Sequence, residues 1–296
     1  MTDRMLPAAQ PLFVLMWSSA FIAGIVGVGA APPLLVLFVR FVVAGLLLSL
    51  YARVVGAVWP CGTQLRHVVI AGLLMQIVQF GAFYTAMSEH VSAAVIALVQ
   101  GLNPVVIALC SGFIGETVSA RQWFGFGIGG MGVAMAVIDQ SHFSLVGLIL
   151  CVVGLLGLSI GTIYQKRFVP QVDSRAATAV HVVASAPVAG LLAVAGGQLS
   201  VSDTARFAGS LTWMVLVNSM AAFLLLNAML RRWDATRVGR LFFATPAVTA
   251  LLAWVLIGEP LRPLTLAGLA IGLIGLVFAS RGPAAAPTRP RPVAVR

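Results

Sequence analysis

Arg40 is the one basic side chain that the sequence carries deep inside an apolar stretch. About seven residues, or ~10 Å at the rise of a helix, separate it from the nearer end of that stretch. A charge at such depth is expected to face the interior and meet a partner there. A guanidinium suits a substrate carboxylate, which its planar fork grips with two bonds. It equally suits a structural role, bonded to helix-end carbonyls or reaching out to the interface along its stem. Amides accompany it. Gln76, Gln79 and Phe83 fall at i, i+3 and i+7, and Gln100 and Asn103 make a similar stripe one apolar segment later. Amides within apolar segments are expected either to line a wet cavity or to tie neighbouring helices together. Trp17 offers a flat wall for a planar substrate or an anchor near the interface, with Ser18 beside it. Tyr164 and His181 are further cavity groups, although a lone histidine in a helix commonly packs against a neighbour instead. Pro104 and Pro246 follow Asn103 and Thr245, where each would free backbone carbonyls and bend its helix.

This is chemistry for binding rather than for catalysis. The chain has no Gly-rich phosphate loop, no G-x-S-x-G and no H-E-x-x-H. The G-x-G at Gly125 and Gly127 follows no strand and lies in an apolar segment. No catalytic residue, metal ligand set or cofactor is expected, and ATP is not the energy source. Cys61, Cys110 and Cys151 lack metal-ligand spacing and are odd in number, so neither a zinc site nor a disulfide framework is expected. None of the eight acidic residues lies deep in a segment; Glu116 and Glu259 stand at segment ends, placed to pair or to cap.

The elements that position these residues follow from composition. Apolar residues make up 60% and charged residues 9% of the 296, too few charges for a water-facing surface. An all-α integral membrane protein in contact with the lipid bilayer is expected. Ten apolar segments are long enough to cross a hydrocarbon core: Leu12–Val28, Pro33–Tyr51, Val68–Met87, Ser92–Phe113, Gln122–Ile138, Leu145–Tyr164, Ala176–Ala195, Ala208–Met229, Arg237–Ile257 and Leu264–Ser280. With the N-terminus in the cytoplasm, fifteen Arg and Lys fall inside against Arg206 and Arg262 outside. The net charge of +10 is thereby explained by membrane topology rather than by nucleic acid, and both termini are expected in the cytoplasm. Residues 1–11 form a short cytoplasmic start, with the first helix retained, and residues 281–296 a disordered basic tail.

The second half writes the first again. A shift of 142 residues puts Gln76 on Asn218, Ala86-Met87 on Ala228-Met229 and Asn103-Pro104 on Thr245-Pro246. One inserted residue later, Gly115-Glu116 lands on Gly258-Glu259, and Gly125, Gly129 and Gly132 land on Gly268, Gly272 and Gly275. Residues 12–138 and 139–280 are thus expected to be two copies of one five-helix unit. Five crossings is an odd number, so the copies would enter the membrane with inverted topology, around a central cavity. The repeat adds Asn218 and Thr245 to the residues expected to bind substrate. The glycine ladders are expected to let backbones approach closely, packing the fifth and tenth segments against neighbours or joining two protomers as a homodimer.

Trp17-Ser18-Ser19-Ala20-Phe21, Arg40-Phe41, the fourth-segment proline, Gly115-Glu116 and the echo at Pro246 and Gly258-Glu259 resemble the drug/metabolite transporter superfamily, of the EamA-domain type. The resemblance covers about residues 10–280. It implies a bacterial inner-membrane carrier whose cavity is lined mainly by the first four helices of each copy, with the fifth and tenth at the periphery. Substrates in such families range over amino acids, other metabolites and drugs. The expected function is secondary transport of a small-molecule substrate, an exported amino acid foremost because amides and an arginine suit a zwitterion. A non-transporting membrane protein, such as a lipid-handling enzyme or an assembly partner, is the other reading.

Overall fold

The computed structural model describes residues 6–110, 119–138, 144–230, 232–233 and 238–280. The described residues are helical, without strands. Gly115-Glu116 and the tail from 281 lie outside them.

The helices are α1 (Leu6–Val28), α2 (Pro33–Val54), α3 (Gly62–Ser88), α4 (Ala93–Leu109), α5 (Ala120–Ile138), α6 (Leu145–Phe168), α7 (Ser174–Ala195), α8 (Thr204–Leu230), α9 (Arg240–Ile257) and α10 (Pro263–Ser280). Seven of them are long and apolar enough to cross a membrane, and α4 and α10 are apolar but shorter. Their starts are written locally. Pro33 opens α2, where a missing N–H costs nothing. Ser92, Ser144, Asp173 and Asp203 cap α4, α6, α7 and α8 by accepting backbone N–H bonds from Val95, Gly147, Arg175 and Arg206. Gly258, at φ +70°, closes α9 in the left-handed region that glycine enters freely. The Asp173 carboxyl, held by the Arg175 guanidinium, is lowered to about 2.

Two helices change pitch midway. α3 runs through a π-helical stretch at Leu73–Val78, and α8 through one at Met214–Ala222. α4 breaks at Leu102, just before Asn103-Pro104, and α9 begins as a 3-10 turn over Arg240–Ala244 before Thr245-Pro246. Both prolines therefore stand in the first turn of a new α-helical stretch, where the ring clashes with no earlier carbonyl.

Glycines decide which helices meet. A Cβ on Gly125 would lie 2.6 Å from the Ala279 nitrogen, and one on Gly268 would lie 2.9 Å from the Ala136 nitrogen. The ladder expected between neighbours or protomers thus joins α5 to α10 within the chain, backbone against backbone and antiparallel. α2 and α7 also pair antiparallel, Gly45 receiving Val183 and Gly190 receiving Phe38. Gly154, Gly157 and Gly161 bring α6 against Phe83, Gln79 and Met75 of α3. α1 and α8 cross antiparallel, with Gly27 beside Ser210 and the Met16 carbonyl beside Asn218. Large apolar side chains cover the outside, among them Leu46, Leu191, Trp254 and Ile274. Such a surface needs a lipid-like surrounding.

Candidate functional site: a cavity between the two halves

A cavity of about 240 Å³ lies inside the bundle. Trp17 and Phe21 reach it from α1, Arg40, Phe41 and Leu48 from α2, and Gln76, Gln79, Phe80, Phe83, Tyr84 and Met87 from α3. Gln100 of α4, Leu158 of α6, Thr178 and Val182 of α7, and Asn218, Ser219 and Phe223 of α8 also line it, as do Ala20, Ala44 and Met75. Helices α5, α9 and α10 supply none of these lining residues.

Arg40 is 8% exposed and lines the cavity. Its Nη1 donates to the Tyr84 hydroxyl at 2.8 Å, and its guanidinium lies 4.9 Å from the centre of the Phe80 ring. No carboxylate among the described residues pairs with it. The partner is neither of the structural alternatives, helix-end carbonyls or the interface, but a phenol and an aromatic face across the cavity wall. One of five N–H donors is spent on Tyr84.

The amides divide. Gln79, buried at 4% exposure, donates through Nε2 to Gln100 Oε1 at 3.5 Å, and both line the cavity with Gln76. Asn218 donates through Nδ2 to the Met16 carbonyl and to Ser19 Oγ, while its buried Oδ1 has no hydrogen-bond partner. An unmet buried acceptor is a free-energy cost to the folded protein. Asn103 instead accepts a 2.8 Å bond from Ser159 on α6, a tie between helices behind the wall.

Of the remaining expected residues, Ser18, Tyr164, His181 and Thr245 stand outside the lining. Ser18 is fully buried and donates to the Thr245 carbonyl at 3.3 Å, which joins α1 to the pitch change of α9. Tyr164 bonds His67 Nδ1 at 2.8 Å and packs on Phe168, at the bundle end rich in arginine and lysine. His181 is buried where α7 crosses α3, its Cα 2.6 Å from the place a Cβ on Gly72 would take, and its Nε2 has no partner. The neighbours Thr178 and Val182 face the cavity instead. Trp17 does line it, edge-to-face with Phe242 at 5.0 Å.

Tyr84 and Phe80 hold Arg40, and the sequence reading passed over both. Their signal was present: Phe80, Tyr84 and Met87 form an i, i+4, i+7 stripe beside that of Gln76, Gln79 and Phe83. The π-helical stretches carried no such signal, being an outcome of packing.

Known proteins resemble this chain along most of its length. It is 25% identical over 294 residues to an uncharacterized inner membrane transporter of Escherichia coli, YedA, covering 97% of this chain and 95% of that one. It is also 25% identical to a probable amino-acid metabolite efflux pump of Salmonella typhimurium, over 90% of this chain and 91% of that protein. A crystal structure 20% identical in sequence superposes with a TM-score of 0.67, covering 92% of this chain and 96% of the other, and shows a shared fold. The profile of the EamA-like transporter family matches residues 11–138 and again 145–281. A family match of that extent, on apolar helices enclosing a cavity, leads to one conclusion: this membrane protein belongs to the EamA-like transporter family.

Proposed function

We propose that the protein is a secondary carrier that exports a small amphipathic metabolite, an amino acid foremost, by alternating access between two inverted five-helix repeats. The observation that carries this reading is Arg40: buried on the wall of a cavity built from both halves, bonded to a phenol, and met by no carboxylate among the described residues. Its unspent donors suit a substrate carboxylate. Asn218, a wall amide whose Oδ1 is buried and unmet, suits a substrate donor such as an ammonium once its side chain turns to the cavity. The rest of the wall is largely aromatic and aliphatic, which favours an apolar body between the two polar ends. The Salmonella relative's description as a probable amino-acid metabolite efflux pump agrees with it.

The inverted repeat draws support from the paired pitch changes, in α3 with α8 and in α4 with α9, which fall at repeat-related positions. The antiparallel pairings α2 with α7 and α5 with α10 are those expected when five crossings precede the second copy. The positive-inside bias supports a cytoplasmic side for both termini. On that topology, Leu48, Thr178 and Phe223 mark the cytoplasmic reach of the cavity, and the buried Tyr84 and Met87 stand at its other end.

The test combines binding and flux. Purified protein in detergent, screened against amino acids by thermal shift, should gain roughly 2.7 kcal/mol from a ligand at 100 times its dissociation constant. The same ligand should cross proteoliposomes that contain the protein. Arg40→Lys should fold and transport weakly, because it keeps the charge without the fork. Arg40→Met should fold and fail to bind; full affinity in folded Arg40→Met refutes the substrate role.

A further inference from the structure

One hydroxyl joins Arg40 to the closed end of the cavity. Tyr84 Oη accepts from Arg40 Nη1 at 2.8 Å and donates its single proton to Met214 Sδ at 3.0 Å, on α8 in the other half. Tyr84 is 2% exposed and Met214 is fully buried. Both close upon α1 at two glycines. A Cβ on Gly24 would lie 3.0 Å from Met87 Sδ and 3.5 Å from the Tyr84 ring. One on Gly27 would lie 3.1 Å from Ser210 Oγ and 3.4 Å from the Met214 methyl. Tyr84 and Met87 are cavity wall; Met214 and Ser210 are not. The layer thus separates the cavity from the end where α1 and α3 finish and α8 begins. Beyond it, Ser202 donates to the Ala30 carbonyl, and Glu259 accepts from the Ala93 N–H.

We propose that Tyr84 is the positioning residue that transmits occupation of Arg40 to this seal. The inference rests on the carrier reading above and adds the link between its binding site and its gate. A carboxylate binds a guanidinium through charge-assisted bonds, roughly twice as strong as neutral ones. A carboxylate that takes the Nη1 N–H now given to Tyr84, together with a second N–H of the fork, displaces the phenol oxygen. Sulfur is a weak acceptor, and the adjacent cation polarises the Tyr84 O–H that reaches it. Without that cation the O–H···S tie across the two halves weakens, and α3 is free to part from α8. Substrate arriving from the cytoplasmic side unlocks the opposite end, as export requires.

The test is the reactivity of a cysteine placed behind the seal. Ser210→Cys is introduced with Cys61→Ser, Cys110→Ala and Cys151→Ala, and right-side-out vesicles are treated with a membrane-impermeant methanethiosulfonate. Tyr84→Phe keeps the ring and removes both bonds. It should raise the labelling rate about tenfold, which corresponds to ~1.4 kcal/mol, the scale of one net hydrogen bond. Met214→Leu conserves volume and cuts only the cross-half tie, so it should raise the rate by a smaller factor. It also decides the question if Tyr84→Phe does not fold. L-leucine, an amphipathic α-amino acid, should speed labelling when Tyr84 is present and add nothing in Tyr84→Phe. Labelling at the parent rate in the folded variants overturns the proposal, as does an equal leucine effect with and without the hydroxyl. A parent protein that ignores leucine while Tyr84→Phe still labels tenfold faster overturns the amino-acid reading and supports the seal.

Discussion

Two glycines of α5, two residues apart, should answer the same substitution with opposite signs. A Cβ on Gly125 would stand 2.6 Å from the Ala279 nitrogen and 2.7 Å from the Gly275 oxygen, both backbone atoms of α10. Backbone cannot swing aside as a side chain does, so α10 must retreat by roughly 0.8 Å to restore ordinary contact, an overpacking that costs about 1–3 kcal/mol. The same change improves helix propensity by about 1 kcal/mol. Gly127 has nothing within 4 Å of its notional Cβ, so Gly127→Ala collects the propensity gain alone. The propensity contribution cancels between the two variants, leaving Gly125→Ala less stable than Gly127→Ala by about 1–3 kcal/mol, the overpacking cost itself. The assay is reversible unfolding in mixed micelles titrated with SDS and followed by helical circular dichroism. Equal stability of the two variants would refute backbone contact between α5 and α10.

Gln100→Ala should reduce substrate transport per folded molecule, since Gln100 and Gln79 are paired on the cavity wall. Asn103→Ala should instead lower stability by about 0.6 kcal/mol and at most about 1.7, the average and maximum for interhelical hydrogen bonds, because its partner is Ser159; flux and melting measured together separate the two. Burial pushes the Glu259 carboxyl above its usual 4.5, against a smaller opposing pull from the Ala93 N–H. The folded state therefore holds this proton more tightly than the unfolded state, and the resulting stability is complete below 4.5 and lost as pH rises through the folded value. The melting temperature of the wild type minus that of Glu259→Gln should accordingly fall as pH rises above 4.5; a flat difference removes the linkage. Reporters fused after Arg167 and after Arg296 should signal cytoplasm, and one within Ser200–Thr204 periplasm; a cytoplasmic signal from the third contradicts ten crossings.

Composition, apolar length and internal repetition are properties of the chain read along itself, and those were legible. The lipid-facing class came from composition and most helix ends, to within a few residues, from apolar length, while the stripe of Gln76, Gln79 and Phe83 came from periodicity, because a helix turns at a fixed angle whatever surrounds it. The expectation of a repeat also came from the chain read along itself, and the pitch changes of α3 and α8 fall where it pairs Gln76 with Asn218. Periodicity names a face but not what covers it. Only the tertiary structure decided that Asn103 turns to Ser159 while Gln100 meets Gln79, and that Tyr164 meets His67, 97 residues away. The glycine ladders read equally well as contacts within the chain or between protomers, until close backbone approach assigned them to α5 against α10. Arg40 shows the division most plainly. Its depth is fixed by its place in a helix, so the cost of its charge could be stated from sequence. Its partner, Tyr84, lies 44 residues away on another helix, and that choice is made by the glycines that let α1, α3 and α8 converge.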